Sequence, residues 1–478
     1  MVKTLYYISK RFRQSKYLLL ILLVFISTQS CKKNNLEIRV LFVGDILLSR
    51  NVRGEIQNRN SSPWADLKPL FQSADLVIGN LEGAVGTHDD YLLSDSDLPV
   101  FDIEDTHISL LCEAGFKIIT LENNHSYDLG KSGKEKTIEA LRNCNITPVF
   151  FENSPQFFTV KDVVIALLTI NMIPGRNSSV NEIPSIEIIQ KLRLASSLAN
   201  LIIVSIHWGS ELLDWPNREQ RETAKWLVRN GADIIIGSHP HVIQQPEIIE
   251  GKPVFFSLGN HLFDQKYLRT KEGLIADIRI HDGKYICNGI ITHAKANSFY
   301  PEINETKNFE FKPLPLRNNF LKIDNFTLKP LSISDNSQNR TVLEAFQKGK
   351  KIWSTPPMSI VSISSSKLDG ENEYLFTLER HYSSLDRETS LRPYVYSIDN
   401  KGLIAKWRGS ALAWPLLDAV ISPYDNKILC ALHRGDSFIN LDTSETNIRV
   451  AAYIWNGFGF TGIADSITCE CCKKLFSE

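Results

Sequence analysis

The chain has 478 residues, 43% hydrophobic and 22% charged, long enough for more than one packed core and too apolar for a disordered polypeptide. Fifty-three Lys and Arg stand against 54 Asp and Glu, a formal net charge of -1. That balance excludes the global basic field that draws nucleic acid, so an anionic ligand has to be held by local groups.

Lys3, Lys10, Arg11, Arg13 and Lys16 precede an apolar run at 17–27, followed by Thr28-Gln29-Ser30-Cys31 and a polar segment. The run is shorter than the ~20 residues of a transmembrane helix. Basic, apolar and small residues in that order, ending at a cysteine, predict an export segment over 1–31. The place of Cys31 resembles that of the lipidated cysteine in a bacterial lipoprotein lipobox. A plain signal peptide and an uncleaved anchor are the other readings. All three put the rest of the chain outside the cytoplasm, in the cell envelope, and two of them tie it to a membrane.

From residue 37 apolar runs alternate with amphipathic stretches. Residues 38–44, 75–80, 116–120, 163–170, 201–206, 232–237 and 253–259 read as strands. Residues 61–74, 104–115, 133–144 and 216–231 read as helices, the last with Pro216 in its first turn and Gly231 just past its end. Continuous apolar strands separated by helices predict a layered α/β fold whose sheets are covered on both faces. A hairpin over 273–296 turns at Asp282-Gly283, and 313–317 closes a first domain of residues 37–317. Residues 318–357 read as a linker with a short helix over 341–352. From 358 to 478 short apolar runs between Gly, Asn, Asp and Ser predict a smaller all-β domain, a sandwich in preference to a partial propeller because no repeat period shows. Trp407, Arg408, Trp414, Arg434 and Asp436 in that domain read as structural. Cys112, Cys144, Cys287 and Cys430 read as core filler, and the terminal Cys469-Glu470-Cys471-Cys472 as a frayed tail.

The chemistry gathers at the ends of the α/β strands. Asp45 ends one strand, Asn80 and Glu82 the next, and Asn124 and His125 follow a third. His207, then His239 and His241, then Asn260 follow three more. Ligands of open α/β sheets bind beyond such ends, and so many metal-competent side chains there predict a metal site. Two carboxylates, an amide oxygen and three imidazoles, with no thiolate, suit Mn, Fe, Zn or Mg. Six ligands exceed one four-coordinate shell and fit two ions about 3.5–4 Å apart that share a carboxylate. Placed on an extended segment, His239 and His241 project to the same side, one toward each ion. Asn123 reads as the turn residue, and Glu122 has no evident role.

The stretches GDILLSR (44–50), GNLEG (79–83), ENNHSYDLG (122–130), HWGSEL (207–212), GADIIIGSHPHV (231–242) and FFSLGNHLFDQ (255–265) resemble, in this order, the motif set of the capsule-synthesis CapA (poly-γ-glutamate) family. That family belongs to the calcineurin-like metallophosphatase superfamily. The resemblance covers residues 38–317 and implies an α/β/β/α sandwich with two divalent transition-metal ions. It implies Asp45 and His241 on the first ion, Asn124, His207 and His239 on the second, and Glu82 bridging them. His125 would protonate the leaving oxygen, and Asp128 would either orient it or cap a helix. Leu47 stands where the superfamily usually has a second histidine for the first ion, so that ion's shell is poorer. Glu82 replaces an aspartate and His261 a phenylalanine. Asn80, Trp208, Glu211, Asn260 and His261 are expected to line the substrate pocket.

The resemblance implies a metal-dependent phosphoester hydrolase, or a part in capsule and poly-γ-glutamate assembly beside a surface polymer and other assembly proteins. A non-catalytic envelope protein that binds polymer, and a γ-glutamyl amide hydrolase working by the same metal chemistry, are the alternatives.

Overall fold

The computed structural model describes residues 37–59, 61–87, 99–176, 178, 180–335, 338–383, 388–409, 412, 416–434, 448–463 and 466–477. The export segment with Cys31, and also Trp414 and Asp436, lie outside the described residues.

Two sheets organise the first part of the chain. The strands are β1 (Ile38–Leu47), β2 (Leu76–Glu82), β3 (Ile118–Thr120), β4 (Thr147–Val149), β5 (Gln156–Val160), β6 (Val163–Asn171) and β7 (Leu201–His207). They continue with β8 (Ile234–Ser238), β9 (Glu247–Ile249), β10 (Lys252–Phe255), β11 (Asn260–Leu262), β12 (Glu272–His281), β13 (Lys284–Ala294) and β14 (Pro301–Glu310). One sheet runs β14-β13-β12-β1-β2-β3-β4, with β11 also beside β1; the other runs β9-β10-β8-β7-β6-β5. β1, β2, β3 and β4 are parallel, as are β6, β7, β8 and β10.

Strand alternation explains why these runs are apolar throughout. In β1, Val40 and Phe42 join Ile165 and Leu167 of β6 and Ile203 of β7 in one core, so the two sheets share it. Leu41 and Val43 point the other way, onto α1 (Arg50–Asn58), α2 (Lys68–Gln72), α3 (Asp105–Ala114) and α4 (Gly130–Asn143). Ala166, Leu168, Ile202 and Val204 face the opposite outer core, under α5 (Ile186–Leu198) and α6 (Arg218–Arg229). Each fully buried Val, Leu or Ile contributes about 1.5–3 kcal/mol of transfer free energy. The expected hairpin is present, with Asp282 and Gly283 both at positive φ between the paired His281 and Lys284.

The C-terminal region departs from expectation. Residues 321–354, read as linker and short helix, form an antiparallel sheet of β15 (Leu321–Ile323), β16 (Phe326–Asp335), β17 (Gln338–Gln347) and β18 (Lys350–Ser354). Thr341, Leu343 and Ala345 alternate into its buried face, and Lys348-Gly349, both at positive φ, close a two-residue turn where a helix would have to continue. A second meander holds β19 (Ile360–Ser366), β20 (Tyr374–Ser383), β21 (Glu388–Asp399) and β22 (Gly402–Arg408). A third holds β23 (Leu416–Ile421), β24 (Ile428–Arg434), β25 (Ile448–Trp455) and β26 (Phe460–Ile463).

The middle sheet packs Ile360, Ile363 and Leu375 against the first and Phe376, Leu378 and Val395 against the third. This is a stack of three meanders, closer to a propeller segment than to the expected two-sheet sandwich. The expected frayed tail is instead α7 (Ser466–Ser477), whose Cys472 forms a disulfide with Cys430 and packs with Ala452. The stack meets the first part of the chain along α5. Ser197 Oγ donates to Ile363 O at 3.2 Å, Gln190 bonds Leu417 O, and Arg193 pairs with the buried Asp418. Among the described residues no helix is long and apolar enough to cross a membrane.

Candidate metal centre

Strand register brings the polar strand ends together. Asp45 lies beside Asn80 of β2 and Asn260 of β11, while Leu47 lies beside Glu82. His207 closes β7 between Asn171 of β6 and Ser238 of β8. The line of β1 breaks at Val43-Gly44, and a Cβ on Gly44 would stand 1.9 Å from the Gly259 carbonyl. That close approach lets Asp45 N donate to Gly259 O at 3.0 Å and turns the carboxylate into the site.

The anionic floor is Asp45 and Glu82, both fully buried. Asn80 Nδ2 donates to Asp45 Oδ1 at 2.9 Å and to Glu82 Oε1 at 3.5 Å. Asn80 Oδ1 accepts from Asn123 Nδ2 at 3.0 Å, so Asn123 braces the floor beyond its role in the turn. Asp45 Oδ2 accepts the backbone N–H of His239 at 3.2 Å and stands 3.4 Å from His241 Nδ1. Asn260 Oδ1 lies 2.9 Å from the same ring nitrogen. On the other side His207 Nε2 is 2.9 Å from Asn124 Oδ1 and 4.0 Å from Glu82 Oε1. Ser238, which the sequence reading passed over although it directly precedes His239, lies with its Oγ 2.8 Å from His207 Nδ1 and orients that ring.

The His-Pro-His segment is not extended. His239 and His241 both have positive φ, 95° and 59°, so a turn rather than strand pleating projects the two rings. Non-glycine residues held there cost of order 1–3 kcal/mol, a strain that clusters at functional sites. The rings of His207 and His239 are 4.9 Å apart, and those of His239 and His241 6.0 Å.

The electrostatics favour a cation. Burial, and then Asp45, raise the Glu82 carboxyl well above its ordinary value. Burial and neighbouring imidazoles lower His207, and likewise take His239 down to about 4, leaving both rings neutral at pH 7. Burial acts downward on His241 too, but Glu82 and Asp45 outweigh it and hold that ring up at about 9. The two carboxylates thus hold protons on themselves and on His241 that a divalent ion would displace. Glu82 Oε2 and His239 Nδ1 are buried with no protein partner. Ligand atoms of Asp45, Glu82 and His207 lie within 4.8 Å of one another, as do those of Glu211, His239 and His241. Neutral imidazoles, carboxylates and unpartnered buried donor atoms fit one or more divalent ions.

Beside the ligands His125 stacks on Phe101 with ring centroids 3.9 Å apart. Asp128 Oδ2 lies 2.9 Å from His125 Nδ1 and accepts Phe101 N at 2.8 Å. Asp128 therefore sits against His125, and α4 begins after Leu129 without a side-chain cap.

Two expected pocket residues lie elsewhere. Trp208 is buried in the outer core under α6 and donates Nε1–H to Phe256 O at 2.8 Å. His261 is buried beside Phe71, ring centroids 6.1 Å apart, and burial pushes its imidazole down to about 3. Each is one residue from a site side chain, and successive residues of an extended segment face opposite ways. Glu211 is exposed.

The bacterial capsule synthesis protein PGA_cap family matches residues 39–265. The capsule biosynthesis protein CapA of Bacillus anthracis is 30% identical over 273 residues, 52% of this chain and 66% of that protein. The PGA biosynthesis protein CapA of Bacillus subtilis (strain 168) is 30% identical over 254 residues, 50% of this chain and 67% of that protein. The chain belongs to the CapA family. The match spans about two thirds of each relative. The family region holds every candidate ligand and ends at Gln265, whose Oε1 accepts from Asn260 Nδ2 at 2.9 Å. A hypothetical protein from Thermus thermophilus is similar at 15% identity and a TM-score of 0.32, over 58% of this chain and all of that one; a score this low carries no argument.

Proposed function

We propose that this CapA-family chain is an exported, metal-dependent hydrolase that acts in capsule or poly-γ-glutamate assembly, on a phosphoester or on the surface polymer itself. The reading rests chiefly on one observation: Asp45, Glu82, Asn124, His207, His239 and His241 converge around Glu82 Oε2 and His239 Nδ1, both buried and unpartnered. Residues 37–317 form the metallophosphatase-like unit in α/β/β/α layers, and the core shared by the two sheets supports that layering. Divalent ions held by these ligands, two of them if Glu82 bridges, supply Lewis-acid activation of water and neutralise charge on the group transferred. His125, oriented through Nδ1 by Asp128, offers its Nε2 proton to the leaving group. Asn80 and Ser238 keep Glu82, Asp45 and His207 in place.

Export through residues 1–31, with lipid on Cys31, anchors the chain in the envelope. The Cys430–Cys472 disulfide supports an oxidising compartment.

The test is metal analysis of the purified full chain, with hydrolysis assays on phosphoesters and γ-glutamyl peptides. Wild type is expected to hold divalent transition metal, and His239→Ala to lose part of it. His125→Ala is expected to keep the metal and lose about 10²–10⁴-fold in kcat. A wild-type chain without transition metal, or with turnover unchanged in both variants, overturns the hydrolase reading. Metal retained with no turnover on any substrate favours a non-catalytic polymer-binding protein.

A further inference from the structure

Leu47 leaves a ligand position on β1 unfilled. It is fully buried in the core and offers no donor atom, so Asp45 and His241 share their ion with fewer protein ligands than a full shell needs. The structure offers a replacement from a different element. The loop after β7 carries Glu211, and its carboxylate lies within 4.8 Å of ligand atoms of both His239 and His241.

That loop is held against the histidine turn at several points. Leu212 N donates to Pro240 O at 2.9 Å, midway between the two histidines, and Leu212 itself has φ 59°. Gln244 Nε2 donates to Leu213 O at 2.8 Å. Asp214 pairs with Arg269, whose neighbour Thr270 accepts from Asn260 Nδ2 at 3.0 Å, and Asn260 is the residue that holds His241. Glu211 therefore hangs from the same scaffold as the histidines. His239 Nδ1 is a second, independent sign of a ligand: the residue is 6% exposed, and this nitrogen has no protein partner.

We propose that Glu211 is a metal ligand, completing the shell of the ion at His241 in place of the donor that Leu47 lacks. The inference rests on the metal-centre reading above. Metal binding then draws the 208–216 loop onto the site. Trp215, 68% exposed on that loop, and the exposed Leu212 move with it, as does the rim formed with Tyr267 and Leu268 across the Asp214–Arg269 pair.

The probe is Mn²⁺ alone, titrated into the metal-stripped full chain. Its binding is followed by electron paramagnetic resonance and equilibrium dialysis, and Trp215 is followed by the difference in fluorescence between wild type and Trp215→Phe. Wild type is expected to bind two ions with a spin-coupled signal, and its Trp215 emission to change at the weaker step. Glu211→Gln, a near-isosteric change at an exposed position, is expected to keep its thermal midpoint in chelator. It should weaken one ion at least about tenfold, leave the other unchanged, and lose both the coupled signal and the Trp215 response. Two ions bound by Glu211→Gln with wild-type affinity and coupling overturn the role of Glu211 while leaving the metal centre intact. A wild-type chain that binds no Mn²⁺ overturns both, which keeps the two failures distinct.

Discussion

Glu122 stands two residues before the candidate ligand Asn124, yet its side chain turns away from the site. Its Oε2 accepts the Phe151 backbone N–H at 2.8 Å. Burial raises its carboxyl to about 7, with the Phe151 hydrogen bond and Lys134 opposing. A folded value above the unfolded one means stability present below pH ~4.5 and lost as pH rises through ~7. Glu122→Gln, which can still accept from Phe151, is expected to raise the thermal midpoint at pH 8 and leave it unchanged at pH 4, read by circular dichroism in chelator. An equal shift at both pH values would show that the ionised carboxylate is not the cost. At this scale the sequence was legible wherever a side chain's chemistry implied its use: Asp45, Glu82, Asn124 and the three histidines all meet. Trp208 and His261 were misread because the pleat sends neighbours to opposite faces, which adjacency in a motif hides. Ser238 was missed because a serine before a histidine carries no signal until the register sets it beside His207.

Among the elements, α5 decides how the two parts of the chain meet. Its apolar spacing at Ile188, Ile189, Leu192, Ala195 and Leu198 is plain in the sequence, and these residues seat it on the second sheet. Its other side holds Arg193, paired with Asp418, which is 1% exposed and whose carboxyl burial pushes up while Arg193 opposes. Arg193→Ala would leave that carboxylate buried without its cation and is expected to cost about 3 kcal/mol in urea unfolding. Arg193→Met with Asp418→Leu should recover most of the loss. If the single variant unfolds at the wild-type urea concentration, the pair does not hold the stack to α5. The β17 strand shows the reverse difficulty: Val342, Ala345 and Phe346 satisfy a helical spacing as well as a strand alternation. Pairing with β16 chose between them, and a short window of sequence does not contain that partner.

Over the whole molecule, the Cys430–Cys472 bond joins the last helix to the third meander across a sequence separation of 42. A bridge of this span contributes about 2–4 kcal/mol. Reduction, or the double change Cys430→Ala and Cys472→Ala, is expected to lower the thermal midpoint and expose α7 to proteolysis. Metal binding should be unaffected, because every candidate ligand lies between residues 45 and 241. Metal lost together with the disulfide would couple the C-terminal stack to the site. The sequence by itself determined the α/β alternation, the strand ends that carry ligands and the family motifs, because each is written in local residue type and spacing. Only the tertiary structure decided the turned histidine pair, the place of Glu211 beside it, the disulfide, and the stack of meanders around α5. All of these depend on which distant segments pair and on which face each side chain takes, and local chemistry does not set either.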